Sequence, residues 1–216
     1  MLEKMAEFFE ARLDGYDHHM MQNIEGATEF YPFTASLLPK GEGAEVLDLG
    51  CGTGLELEFY FRINPTARVT GIDLSEGMLH ALRCKFPRRD LTLVQGSYFE
   101  IPFEAGRYRA AVSVESLHHF TKEEKIPLYR KLHDALKPGA AFILTDYFST
   151  TDEEEKKHRS YLLELKKKEE IDDGEFYHFD TPLTLAHEIE VLEKSGFNKI
   201  DVLRSWGATS TIKATK

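Results

Sequence analysis

Residues 46–54 read VLDLGCGTG and run straight into LELEFYF at 55–61. An apolar run that ends in glycines at 50, 52 and 54 reads as a short strand entering a turn whose backbone must come close to a ligand. Two phosphate-binding readings of that turn fail on spacing. The dinucleotide fingerprint places its third glycine three residues after the second. Counted from Gly50 and Gly52, that position holds Leu55, and Gly54 comes one residue early. A nucleoside-triphosphate loop needs a lysine after its last glycine, and Leu55 stands there instead. A wide glycine-lined turn is left, with an acid, Asp48, two residues ahead of it. Such a turn suits a ligand that carries both a carboxylate and an amine.

Outward from this turn, strand and helix patterns alternate. EVLDLG is a strand, LELEFYFRIN a helix stopped by Pro65, RVTGIDL a second strand, and SEGMLHALRCKF a helix capped by Ser75 and ended before Pro87. LTLVQGS and YRAAVSVES follow as strands three and four; KEEKIPLYRKLHDAL is a helix that LKPGA stops, and AFILTDY is strand five. Alternation with short connections specifies a mainly parallel sheet covered by helices on both faces.

The flanking segments depart from that rhythm. Leu2, Met5, Phe9, Leu13 and Tyr16 recur at helical spacing and predict an amphipathic N-terminal helix, weakened at Gly15. After Tyr147 comes TDEEEKKHRSYLLELKKKEEIDDGE, whose pairs such as Glu153/Lys157 predict a solvent-facing helix. This insert either covers the carboxyl edge of the sheet as a lid or is a surface excursion. Thr181-Pro182 predicts the start of a helix that ends at Gly196, and KIDVLRSW and ATSTIKAT form a strand pair around Gly207. One domain is expected over 1–216: an N-terminal helical cap (1–40), a core (45–148), a helical insert (150–180), and a final helix with the strand pair (181–216).

Composition narrows the partners. With 216 residues, 42% hydrophobic and 12% aromatic, the chain can bury a full core. No apolar run approaches the ~20 residues of a membrane span, and the N-terminus lacks the basic and small-residue marks of a signal peptide. Cys51 and Cys84 form no disulfide framework and have no zinc-ligand spacing, so a reducing, cytoplasmic setting and no metal are expected. The net charge is −10, from 37 acids against 27 bases, and the basic runs KFPRR and KKK are short or interleaved with acids. That balance argues against nucleic acid as a partner.

VLDLGCGTG, TGIDLSEGML, ESLHHF and LKPGA occur in the order and spacing of the class I S-adenosylmethionine-dependent methyltransferases, which the chain resembles over residues 45–148. The resemblance implies an α/β fold: a Rossmann-like, doubly wound, mainly parallel seven-stranded sheet with an antiparallel C-terminal strand. To this are added the N-terminal helix and the helical insert after strand five. It implies S-adenosyl-L-methionine as cofactor. Asp48 would then orient the methionyl amine, with Gly50, Cys51, Gly52 and Thr53 forming the turn around it. Asp73 would hold the ribose hydroxyls, its alternative role being to cap the helix behind it. Leu74 and Met78 would flank the adenine, and Ser97 and Tyr98 stand where the family usually carries an acid that holds the adenine amine. Val114, Glu115 and His118 would line the passage from cofactor to acceptor, and Tyr16, with Arg12 one turn earlier, would close over the methionyl end. His118, Glu115 and Tyr147 are the candidates for handling a proton, while His119 is expected to pack.

Three functions stay open at this stage: methylation of a small-molecule acceptor at O, N or C; modification of a tRNA nucleoside; and a non-catalytic cofactor-binding module. The chain would act as a monomer or homodimer.

Overall fold

The computed structural model describes residues 2–171 and 175–216. Seven strands form one sheet: β1 (Glu45–Leu49), β2 (Arg68–Asp73), β3 (Asp90–Gln95), β4 (Tyr108–Val114), β5 (Leu136–Tyr147), β6 (Lys199–Trp206) and β7 (Thr209–Thr215), in the order β3-β2-β1-β4-β5-β7-β6. β1 to β5 run parallel, with Val46 level with Val69 on one side and Ala110 on the other. β7 is antiparallel to both β5 and β6, and Gly207, at φ 57°, makes the tight turn that joins the last two strands. The helices are α1 (Met5–Ala11), α2 (Tyr16–Asn23), α3 (Ala27–Ser36), α4 (Leu55–Ile63), α5 (Glu76–Lys85), α6 (Lys122–Ala135), α7 (Asp152–Lys168) and α8 (Leu185–Lys194).

Alternation along the strands builds two cores. Leu47, Leu49, Ala111, Phe142 and Leu144 pack with Leu128, Tyr129 and Leu132 of α6 and Val191 and Leu192 of α8. Val46, Ala110, Val112 and Ile143 face the other way, onto Phe30 and Tyr31 of α3, Tyr60 and Phe61 of α4 and Leu82 of α5. Successive side chains of a strand point to opposite faces, so a sheet covered on both sides reads as a continuous apolar run. The strand order reverses between β1 and β4, and the crevice at their carboxyl ends is where ligands lie in such sheets.

Three sequence expectations are corrected. The single N-terminal helix is three short ones, broken at Gly15 and Gly26, which take left-handed backbone at φ 83° and 78°. LKPGA stops α6 at Ala135 as expected, but strand five starts earlier than AFILTDY: Leu136 already pairs with Tyr108, so β5 begins there and shifts register before Ala141. The last long helix starts at Leu185 rather than at Thr181-Pro182, because Thr184 caps it by accepting from the His187 N–H at 3.4 Å. Thr181 N–H is taken by the His118 carbonyl at 2.9 Å. In α7, which is helical as expected and buries no described residue, polar contacts reach to other elements. Arg159 reaches Glu123 at 3.2 Å and Glu155 reaches His187 at 2.7 Å. Residues 172–174 of the expected insert lie outside the described residues. No described helix is long and apolar enough to cross a membrane.

Candidate active site

The turn after β1 is held open by glycine. Gly50 has φ 71°, and a Cβ there would fall 2.0 Å from the Ser116 hydroxyl oxygen, so this turn and the loop after β4 meet backbone to side chain. Asp73, the last residue of β2, ties the turn down: Gly52 N–H donates to Oδ2 and Ser75 N–H to Oδ1, both at 2.9 Å. Burial raises the Asp73 carboxyl above its ordinary pKa, against the pull of those backbone donors. The cap of α5 is Ser75, whose hydroxyl accepts from Met78 N–H at 3.1 Å. Asp73 is thereby not needed as the cap.

Beneath the turn lies a buried pair of acids. Asp48 on β1 and Glu56 in the first turn of α4 are both buried, and Asp48 Oδ2 and Glu56 Oε1 have no partner other than each other's carboxyl group. Burial, then the neighbouring Glu56, raises the Asp48 carboxyl far above its usual range, and burial raises Glu56 as well. Two carboxyls in one dry site cannot both ionise, so they retain a proton between them.

Above the turn a narrow cleft of about 50 Å³ brings together Tyr16, Gly50, Gly52, Asp73, Leu74, Met78, Tyr98, Val114 and Glu115 of the expected site residues. The others lie outside its lining. Asp48 and Cys51 are buried, and the Thr53 hydroxyl donates to Asp17. Ser97 turns back to accept from Phe99 N–H at 3.2 Å. Arg12 pairs with Glu3 at 2.9 Å and stacks on Phe8. Sequence reasoning missed Met5 and Phe9, which cover the cleft, and Ser116 and His119 in its wall. Glu56 was equally missed. An acid in the first turn of a helix is ordinarily explained by the helix dipole, and its facing Asp48 has no local signature.

His118 stands in a second, larger cavity of about 790 Å³, which shares Phe9, Tyr16, Glu115 and His119 with the cleft. Glu115 holds left-handed backbone at φ 50°, a strained state for a residue with a side chain. Its N–H is fixed by the Thr145 carbonyl at 2.9 Å, and its carboxylate accepts from the Thr209 hydroxyl at 3.2 Å. Burial, with Asp146 nearby, pushes its pKa up to about 8.

His118 Nδ1 donates to Asp146 Oδ1 at 2.6 Å, and Asp146 is fixed in turn by the N–H groups of Leu117 at 2.8 Å and Tyr147 at 3.0 Å. Burial alone would lower the imidazole; Asp146, Glu115 and Asp180 together hold it above its ordinary value. His119 is lowered to about 4 by burial and by His118 beside it. Tyr147 is raised by burial and by Asp180. Asp180, at the far end of the insert, comes within 3.1 Å of His119 Nδ1 and 3.6 Å of His118 Nε2. Its distance along the chain hid it from any reading of spacing.

Residues 46–139 match the methyltransferase domain family. This match, over less than half of the chain, and the structural neighbours support a class I S-adenosylmethionine-dependent methyltransferase family, with S-adenosyl-L-methionine as cofactor. Among relatives, an uncharacterized methyltransferase of Synechocystis is 30% identical over 124 residues, which are 57% of this chain and 57% of that protein. A tRNA (carboxymethyluridine(34)-5-O)-methyltransferase of Xenopus tropicalis is 27% identical over 210 residues, 92% of this chain but 31% of the relative. The matched stretches thus span less than two thirds of either relative. Phosphoethanolamine N-methyltransferase 2 of Haemonchus contortus, solved with S-adenosyl-L-methionine, superimposes with a TM-score of 0.68 at 19% identity, over 92% of this chain and 44% of that one. At that identity the likeness is one of fold.

The residues present fit the cofactor. Gly52 has no atom within 4 Å of where a Cβ would stand, which leaves the backbone of the turn open to a ligand, and Asp73 offers a carboxylate at the cleft.

Proposed function

We propose that the chain catalyses methyl transfer to a small-molecule acceptor held in the larger cavity, with the cofactor along the cleft between the turn after β1 and the end of β2. The observation that carries this reading is the junction: Phe9, Tyr16, Glu115 and His119 line both cavities, so the two ligands would meet there. The larger cavity falls in the size range of small-molecule sites, about 300–1,000 Å³. Its walls combine aromatic faces (Phe8, Tyr16, Tyr147, Trp206) with a few converging polar groups. The bound cofactor supplies a methyl group activated on a sulfonium sulfur; the protein's task is alignment and exclusion of water. Gly50, Gly52 and Asp73 hold the cofactor side, and the aromatic walls orient the acceptor. Glu115, at the junction, is placed to take the proton the acceptor gives up, with His118 and Tyr147 beside it as further candidates. No covalent intermediate with the protein is needed, and none of these groups is arranged as an activated nucleophile.

The match to a tRNA methyltransferase over nearly the whole chain favours a second reading, a tRNA nucleoside as acceptor; the net charge of −10 opposes it. Titration calorimetry with S-adenosylmethionine, its demethylated product and NAD tests the cofactor, the first two binding and NAD not. Transfer of a labelled methyl group into the low-molecular-mass fraction of a cell extract supports the small-molecule reading. Label found only in added tRNA replaces it.

A further inference from the structure

We propose that His118, His119 and Asp180 bind a divalent transition-metal ion of the zinc and cobalt class at the wall of the larger cavity. One ligand atom from each lies within 4.8 Å of the others. The two separations to Asp180 Oδ1 are 3.1 Å and 3.6 Å. Ligands about 2.0–2.1 Å from a tetrahedral ion stand about 3.3–3.4 Å apart, so these edges bracket the expected one. The groups converge with incomplete mutual satisfaction: Asp180 Oδ1 is buried and makes no well-aligned hydrogen bond to either imidazole nitrogen near it, while Tyr147 also approaches this carboxylate. A shared ion resolves that.

The surroundings of His118 match those of a metal ligand. Its Nδ1–H is committed to buried Asp146, itself held by two backbone N–H groups, which fixes the tautomer that turns Nε2 toward Asp180. His119 Nδ1 faces the Phe179 carbonyl at 3.2 Å as well as Asp180. Binding the ion through that nitrogen moves the ring's proton to Nε2. Two imidazoles with one carboxylate favour zinc, cobalt or a similar ion over magnesium and calcium, which prefer all-oxygen sets.

All three residues line the larger cavity, so the ion's remaining positions open onto the space assigned to the acceptor. An acceptor bearing an oxygen ligand, a hydroxyl or a carboxylate, would be anchored there. This role rests on the methyl-transfer reading above; the binding of the ion does not.

The test uses the full chain without an affinity tag, stripped with chelator and titrated with Co²⁺ (visible d–d absorption) and with Zn²⁺ (calorimetry), in the absence of cofactor and acceptor. One ion per chain is expected. His119→Ala and Asp180→Asn should each weaken it at least tenfold, and Asp146→Asn by about 10- to 100-fold through loss of the support behind His118. Asp180 is partly exposed, so Asp180→Asn keeps the fold, which a thermal melt verifies. His80, which with Cys84 forms a nitrogen–sulfur pair on the exposed face of α5, serves as control, and His80→Ala should leave binding unchanged. No bound ion, an affinity indifferent to Asp180→Asn, or loss of the ion in His80→Ala overturns the proposal. Because no methyl donor is present, such a failure leaves the methyl-transfer reading to its own experiment.

Discussion

Asp73→Ala separates two duties of one carboxylate. In the ligand-free chain each oxygen already accepts a backbone N–H, from Gly52 and from Ser75, at 2.9 Å. Truncation leaves both donors without a partner, at about 1–3 kcal/mol each. The cleft admits water to part of that debt, so a loss of about 2–4 kcal/mol in unfolding free energy is expected. The same change removes the acceptor for the ribose hydroxyls, a bond to a charged group of about 1.5–3 kcal/mol. That corresponds to a roughly 10- to 150-fold weaker affinity for S-adenosylmethionine. Urea unfolding and titration calorimetry read the two quantities separately, and Asp73→Asn, which keeps one carbonyl oxygen, should fall between. Full cofactor affinity in a destabilised Asp73→Ala chain would show that the residue only staples the glycine turn to β2, and the ribose assignment would fail.

Three further outcomes follow from the geometry. The Asp48–Glu56 pair has raised folded-state pKa values. Its stabilising share is therefore full below the ordinary carboxyl range of about 4 and is lost as pH climbs through the raised values. A cationic ligand should expel the shared proton, so cofactor affinity should rise with pH. Calorimetry in buffers of different ionisation enthalpy should detect proton release that Glu56→Gln abolishes; no buffer dependence would remove the pair from the binding process. Met5, Phe9 and Tyr16 cover a cleft of only about 50 Å³, so cofactor should alter this cover and then order it. Slower amide exchange across residues 8–20 is expected, and equal protection with and without ligand would make the segment a fixed packing element. Lys125 and Glu188 form a fully buried ion pair at 2.6 Å, which Tyr129 also joins. Lys125→Met should cost about 3–5 kcal/mol in chemical denaturation by stranding Glu188; a neutral result would mean that Tyr129 and local rearrangement suffice for that carboxylate.

What could be read from the sequence was what the chain writes locally. The strand, glycine turn and helix around Gly50 occupy consecutive positions, as do the end of β2 and the cap at Ser75, so their spacing carries their geometry. That the sheet is mainly parallel follows from the same alternation. What escaped was set by partners far along the chain. Asp180 meets His118 and His119 only after the whole of β5 and α7 intervene. Thr181-Pro182 has the composition of a helix start, yet the Thr181 N–H is bound to His118 and the Pro182 carbonyl to the Ser149 hydroxyl at 2.8 Å, and with these contacts the segment stays outside the helix until Thr184. Glu10 belongs to the same group. It reads as one more acid of an amphipathic helix, and it accepts from Ser75 Oγ at 2.6 Å and Gly77 N–H at 3.0 Å, fastening α1 across the start of α5.

The packing of α3 bears on how the chain is made. Phe30 and Phe33 rest edge-on against Trp206, whose indole N–H donates to Glu29 at 3.1 Å. A line of buried hydroxyls links Thr34 to Thr145 at 2.6 Å and Thr145 to Thr211 at 2.8 Å. A segment that precedes every strand of the sheet is thus completed by the two strands made after the other five. During synthesis the parallel strands can assemble, but the aromatic face of α3 stays uncovered until β6 and β7 emerge, and a nascent chain stalled before Trp206 would present that face to chaperones.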